Sequence, residues 1–340
     1  MRLIFVENIA KPASKSLCQI LQNYWPDENM VMVSIVANGL SKPAFPRGIP
    51  YSDYPLIRQA DYKPNKFWLS NDTFTIILRL APGCEPVREN VTFDQAQQLL
   101  REASSLTYLS SMDYASVWGM EMLLKHLDPS ADPQPVDIVR IPPAMTQGAF
   151  KAALEKSSKS DTDPEYQTLL NAGHVKRYFD YNFALNSFSI LGKLYREVSG
   201  IQAPIHISKG ELLIMGLAAR EGKLPPRLGA HLQKWVGTGK YDGCESPFFE
   251  GLGSSIARQM DVIFLEDIGA LALAGEGVDL HYALTDNGRE FMSRLHKDCI
   301  DRDLPFRLAG WMERPFDDVK PVIDQYLQTF FRKQKRLQDA

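Results

Sequence analysis

Cysteine is scarce in this 340-residue chain: Cys18, Cys84, Cys244 and Cys299 are widely scattered, and no two form a CxxC pair. That scarcity excludes a disulfide framework, argues against a zinc site and points to reduced thiols in a cytoplasmic protein. Long apolar runs are missing too. No stretch approaches the roughly eighteen apolar residues of a membrane span. The apolar start is too short for a signal peptide and carries Glu7 inside it. Excess positive charge is also lacking: 38 Lys and Arg stand against 41 Asp and Glu, a net charge of -3. Such a chain cannot hold nucleic acid by bulk attraction, so any affinity must come from one local face and fall with salt. Internal repeats and low-complexity segments do not occur. What remains is 44% hydrophobic and 23% charged residues, the make-up of a globular protein long enough for two domains.

Hydrophobic periodicity divides the chain. Residues 2–6 (RLIFV) form a continuous apolar run suited to a buried parallel strand. Residues 14–24 carry apolar Leu17, Ile20, Leu21 and Tyr24 at three- and four-residue steps, which predicts a helix. Strands are expected at 30–37, 74–80, 106–109 and 136–141, and helices at 93–103, after Thr92 as N-cap, and at 117–127. Between 40 and 67, prolines 43, 46, 50, 55 and 64 recur among aromatics, an ordered irregular excursion. This alternation predicts an α/β domain over 1–143 with a Rossmann-like parallel sheet. Residues 144–340 change character, with helical periodicity at 146–156, 165–195, 207–221, 230–236 and 321–337. The order from 251 to 295 is helix, turn, helix, a ribbon with a GEGVD tip, then a helix after LTDNG, a winged helix-turn-helix pattern.

Several segments, in order, resemble the type IA DNA topoisomerases, nearest the topoisomerase III group. MRLIFVENIAKP is similar to that family's opening strand, with its catalytic glutamate at Glu7. VMVSIVANGL is similar to the second strand, with Ala37-Asn38 in place of a Gly-His pair, and YSDYPLIRQADYKPNKFWL to the proline-rich excursion. TFDQAQQLLREASSLTYLSSMDYASVWGMEMLLKHL resembles the helix, strand and metal loop of the family's Toprim domain. DYNFALN stands where the family has GINMTRA, SGIQAP where it has GRVQTP, and GLGSSIAR corresponds to GIGTxATR. Residues 1–143, 165–204 and 251–295 are covered. The resemblance therefore implies a Toprim-like α/β domain plus a mainly helical domain with a winged-helix-like part, resembling the family's domain IV region. The stretch between SGIQAP and GLGSSIAR is too short for the toroidal domains, and no TYPRTD-like segment with the nucleophilic tyrosine occurs. Tyr241 in GKYDGCES keeps a tyrosine with an acid downstream but lacks the proline, the arginine and any activating neighbour.

The resemblance sets Ser111, Asp113 and Ala115 on the three acids of an Asp-x-Asp-x-Glu metal loop. Magnesium needs hard oxygen ligands, and only Glu7 and Asp113 could gather to hold it, weakly. Asp113 can equally cap the following helix, and Glu7 can pair with Lys11 or Lys15. The expectation is a degenerate pseudoenzyme that requires no cofactor.

Candidate DNA contacts are Ser254, Ser255, Arg258 and Gln259 at a helix N-terminus, together with Lys176, Arg177, Lys193 and Arg196. Further cation groups are Arg220 with Lys223 and residues 332–336, and Tyr178, Phe179 and Tyr181 could stack on unpaired bases. Ser254 can instead cap its helix, the aromatics can be core, and Glu276 and Asp279 set the wing against phosphate. Two functions follow: a non-catalytic protein that binds DNA, single-stranded in particular, or a protein-interaction subunit of a DNA-processing or mobile-element assembly. The second rests on Phe45, Tyr51, Tyr54, Phe67 and Trp68 as an apolar surface.

Overall fold

The opening apolar run forms β1 (Arg2–Glu7), the middle strand of a seven-stranded sheet. The computed structural model describes residues 1–7, 11–35, 41–43, 45–64, 75–129, 134–144, 146–236, 246, 248 and 255–340. For 11–15, 34, 35, 41, 42, 63, 64 and 255–258 only the backbone is described. The chain divides into two compact units, Met1–Ala44 with Asp61–His174, and Phe45–Ala60 with Val175–Ala340.

After β1 the first unit runs through α1 (Lys11–Tyr24), β2 (Met30–Ile35), β3 (Ser41–Pro43), β4 (Tyr62–Pro64), β5 (Thr75–Leu80) and β6 (Val87–Val91). It continues with α2 (Phe93–Glu102), β7 (Ser105–Ser110), α3 (Tyr114–Leu127), β8 (Val136–Arg140), α4 (Gln147–Glu155), β9 (Ser158–Lys159) and the start of α5 (Pro164–Ser189). The sheet order is β6-β5-β2-β1-β7-β8-β9, with β2, β1, β7 and β8 mutually parallel and with antiparallel pairings β2–β5, β5–β6 and β8–β9 toward the edges. The sheet is thus mixed at its edges, where a purely parallel one was expected.

Period-two alternation explains why β1 reads as one continuous apolar run. Leu3 and Phe5 pack with Val117, Met120 and Leu123 of α3 on one face, while Ile4 and Val6 pack with Leu17 and Leu21 of α1 and Phe150 of α4 on the other. A strand buried on both faces needs apolar residues at every position. At the start of β1, Arg2 bonds Glu28 at 2.9 Å and Asp137 at 3.3 Å and lies 4.1 Å over the Trp25 ring, so its charge is fully used. Thr92 caps α2 as expected, in a reciprocal capping box with Gln95.

Two differences from the sequence expectation have clear causes. The polar VRENV forms β6, because an edge strand exposes one face and shows no apolar run. The first unit also extends beyond residue 143, because Phe150 and Leu154 of α4 and Tyr166 of α5 complete its two apolar layers.

The second unit contains the rest of α5, α6 (Leu191–Ser199), α7 (Lys209–Glu221), α8 (Gly229–Val236), α9 (Ser255–Asp267), β10 (Leu271–Ala274) and β11 (His281–Leu284). It closes with α10 (Asp286–Ser293), α11 (Leu304–Met312) and α12 (Phe316–Asp339). The helix expected over 165–195 breaks at Ile190, and Gly192 then meets the Ile205 carbonyl, which a Cβ would approach to 1.9 Å. The last helix starts at Phe316 and runs through Pro321, since Val319, Ile323, Leu327 and Phe331 bury one continuous stripe. Packing here outweighs the one backbone bond that proline removes. Phe179, Phe183, Trp311, Tyr326, Phe330 and Phe331 form an aromatic core with ring centroids 4.8–6.3 Å apart.

Residues 45–60 are held tightly within this unit. Asn186 accepts from the Leu56 amide at 2.7 Å and donates to the Leu56 carbonyl at 2.6 Å, and Asn182 treats Arg58 in the same way at 2.8 and 3.0 Å. One turn of α5 separates the two asparagines, so they read alternate residues of an extended backbone. Lys335 donates to the carbonyls of Tyr51, Ser52 and Tyr54 at 2.7–3.0 Å. Phe45 stacks on Tyr181 at 5.4 Å, and Tyr54 is buried. Of the expected interaction surface, Tyr54 is therefore internal packing, Tyr51 is half-buried and Phe45 stays exposed, while Phe67 and Trp68 lie outside the described residues.

Candidate functional site

The order β2-β1-β7-β8 makes the chain run one way from β1 and the other way from β7, so the carboxyl ends of these two strands flank a topological switch point. Open α/β sheets place their sites in that crevice. Glu7 ends β1 and Ser110 ends β7, one position beyond the Val6–Leu109 pair. Fold geometry therefore brings the SSMD loop to Glu7.

Neutral donors satisfy the glutamate. Tyr108 and Ser110 hydroxyls donate to its Oε1 at 2.5 and 2.8 Å, and the Ser111 amide donates to Oε2 at 3.0 Å. Tyr108 is fully buried, and burial first, then the Glu7 charge, pushes its phenol far above the ordinary tyrosine range. It stays protonated as a fixed donor and offers a substrate no accessible nucleophile. Asp113 is the N-cap of α3, as one of the two expectations held: its Oδ1 accepts from the Ala115 and Ser116 amides, both at 2.8 Å. Its Oδ2 accepts from the Ser111 and Ser116 hydroxyls at 3.0 and 2.9 Å. Ser111 thus joins the two acids, through its amide to Glu7 and its hydroxyl to Asp113. Ala115 contributes only its amide. The SSMD turn carries Met112 at φ 58°, a left-handed conformation unusual for methionine.

A carboxylate offers about four lone-pair sites. Asp113 uses four and Glu7 three, so a divalent ion could ligate Asp113 only by displacing a serine hydroxyl from Oδ2 or breaking the helix cap at Oδ1. Two carboxylates already engaged by neutral donors make a poor donor set for magnesium, and no group of three metal-ligating side chains gathers among the described residues. Sequence reasoning found both acids and missed Tyr108, Ser110 and Ser116. Their role shows only once β7 lies beside β1 and α3 begins. The side chains of Lys11 and Lys15, the expected partners of Glu7, lie outside the described residues.

Of the eight proposed DNA contacts in the second unit, two lysines are engaged within the fold. Lys176 is buried and pairs with Asp180, which Lys209 also binds at 2.8 Å. Burial alone would raise the Asp180 carboxyl, but the two lysines outweigh it and hold it well below the usual carboxylate range. Lys193 sits 3.9 Å over the Tyr51 ring and pairs with Glu197, and Arg177 and Arg196 are half-buried. Tyr178, Phe179 and Tyr181 are buried, so base stacking on them is excluded by packing. Tyr241, Ser254 and the side chains of Ser255 and Arg258 lie outside the described residues, while Gln259 is exposed on α9.

Two other surfaces emerge. Arg220, Lys223, Arg227 and Lys234 are all exposed at the end of α7, in the following loop and on α8, with Glu221 as the one acid among them. Residues 259–284, covering α9 beyond Arg258 together with β10 and β11, contain Asp261, Glu266, Asp267, Glu276 and Asp279 but no lysine or arginine. On that stretch Met260, Ile263, Leu273 and Val278 are exposed.

A comparison with protein-family models finds no match, and neither does a comparison with curated protein sequences. No helix among the described residues is long and apolar enough to cross a membrane.

Proposed function

We propose that this protein is a non-catalytic relative of the type IA topoisomerases that binds single-stranded DNA through the basic arc Arg220–Lys223–Arg227–Lys234. The arc carries the proposal: four exposed cations fall within fifteen residues against a single acid, Glu221, which pairs with Arg220 at 3.4 Å and leaves Lys223, Arg227 and Lys234 without a salt bridge among the described residues. Support for the ancestry comes from the element order. Within 251–295 the described residues hold one helix, α9, before the ribbon, where a helix, a turn and a second helix were expected. A bridge from Leu224 to Tyr282 adds a third strand segment to the β10–β11 ribbon, giving α7, strand, α8, α9 and a two-stranded wing. That is the order of a winged helix-turn-helix, in which helices and loops around the recognition helix grip phosphates. Support for the absence of catalysis comes from Glu7 and Asp113, whose oxygens are committed to serines, a tyrosine and backbone amides.

Fluorescence anisotropy with a labelled single strand tests this at low and physiological salt. The expected log–log salt slope is about -3 for four phosphates. Replacing Arg227 and Lys234 with glutamate should weaken binding at least tenfold. Binding that ignores salt, or survives both substitutions, removes the proposal.

A second role is favoured by one observation. The α9 and ribbon stretch is acidic and partly apolar, which repels phosphate and suits a protein surface. A photo-crosslinking residue at Val278, fully exposed at the ribbon tip, should capture a protein partner in cells. Capture of nucleic acid there would refute that assignment.

A further inference from the structure

A cleft of about 580 Å³ opens beside the Lys297–Cys299 turn, α11 and α12, within the size range of small-molecule sites. It belongs to none of the surfaces above. Its inner wall is aromatic: Tyr326 is the half-buried ring that faces the opening, and the otherwise buried Trp311 and Phe330 show it only their edges, with the Trp311 and Tyr326 rings edge-on at 5.5 Å. Its charged groups are Lys297, Arg307 and Lys333 against Asp298 and Asp301, a surplus of one positive charge.

The pairing of these groups decides which cations are available. Asp301 is committed: its Oδ1 accepts from Arg307 at 3.1 Å and its Oδ2 from the Tyr326 hydroxyl at 2.9 Å. Arg307 is thereby fixed in orientation, 5.6 Å from the centre of the Tyr326 ring. Lys297 forms no salt bridge among the described residues, and it is exposed. Lys333 pairs with Asp298, yet both side chains are more than 40% exposed. Pairs that open to water hold together weakly and exchange partners readily. Two lysines can therefore turn to one anion at the rim, beside an aromatic wall and a fixed guanidinium.

We infer that this cleft binds a nucleoside phosphate, with its base against the Trp311–Tyr326–Phe330 wall and its phosphate on Lys297 and Lys333. Two flexible ammonium groups suit a dianionic phosphate, whereas bidentate recognition of a single carboxylate calls for a free arginine fork. Arg307 is not free. The ligand chemistry can come from a free mononucleotide or from the phosphorylated end of a strand.

Isothermal titration of the full chain with adenosine 5′-monophosphate, and separately with a 5′-phosphorylated trinucleotide, distinguishes these sources. Saturable binding of the mononucleotide with Kd below about 1 mM identifies a free nucleotide. Binding of the trinucleotide alone identifies a strand end. In either case Lys297→Glu should weaken binding about tenfold, as should Lys333→Glu. Arg227→Glu, in the basic arc, should leave it unchanged, which separates this cleft from the proposed DNA surface. Lys297 is exposed and forms no salt bridge among the described residues, so its replacement leaves the fold intact. Adenosine without phosphate should bind at least tenfold more weakly. No binding of either phosphate ligand, or binding indifferent to Lys297→Glu, overturns the inference.

Discussion

Replacing Glu7 with glutamine separates a self-satisfied network from a metal site awaiting its ion, because the two predict opposite signs. Glu7 accepts three hydrogen bonds, from Tyr108, Ser110 and the Ser111 amide. A glutamine keeps one carbonyl oxygen and presents an NH₂ group to donors that cannot accept equally well. The Ser111 amide can only donate, and the single Tyr108 proton, given to Glu7, has the Ser116 carbonyl at 3.1 Å as its alternative acceptor. Loss of one or two bonds to a charged acceptor, with a buried hydroxyl left misaligned, should cost about 2–3 kcal/mol. In a unit of this size that corresponds to a fall in Tm of about 5–10 °C. If Glu7 and Asp113 were instead two like charges held for a cation, removing one should leave stability unchanged or raise it. Urea unfolding of both proteins, with and without magnesium, measures this directly. A site occupied at a hundredfold excess of metal over Kd would add about 2.7 kcal/mol to the wild type alone. A neutral or stabilising Glu7→Gln, or a magnesium gain that it abolishes, would refute the network.

Other outcomes follow from the second unit. Asn186→Ala should destabilise by about 2–4 kcal/mol, since it orphans the amide and carbonyl of Leu56 together, and proteolysis within 45–60 should quicken. Lys335→Met should cost about 2–3 kcal/mol in urea unfolding by leaving three carbonyls without their ammonium donor. Gly192→Ala should cost more than either, or prevent folding, because the new Cβ would meet the Ile205 carbonyl at 1.9 Å; soluble yield and circular dichroism report it. Burial pushes the His206 imidazole down to about 4. The unfolded chain, with its imidazole near 6.5, then binds the extra proton first. Stability should therefore be full above about pH 6.5 and fall as pH drops toward 4, by up to about 3 kcal/mol. His206→Gln should flatten that part of the pH–stability curve.

Much of the secondary structure was legible because each element carries its own periodic or capping signal. The two-face burial of β1 appears as an unbroken apolar run, the Thr92 cap as a threonine with glutamine three residues on, and the ribbon as Gly-rich punctuation. The edge strand β6 and helix α11 were not legible. One is polar because an edge faces water, and the other is short with a mixed pattern. At the candidate site, Glu7 and Asp113 stood out as acids near strand and helix ends. Nothing local marked Tyr108 or Ser116 as their partners.

The chain alone determined an α/β sheet followed by helices, a site with two acids where the resembling motif has more, and the lack of any bulk attraction for nucleic acid. Tertiary structure decided which charges are free. Lys176, Lys193 and Lys335 look alike in sequence to Lys223 and Lys234, yet the first three end against Asp180, the Tyr51 ring and three carbonyls. A charge is available for a partner only when its own fold leaves it without one, and that depends on contacts between residues far apart in sequence.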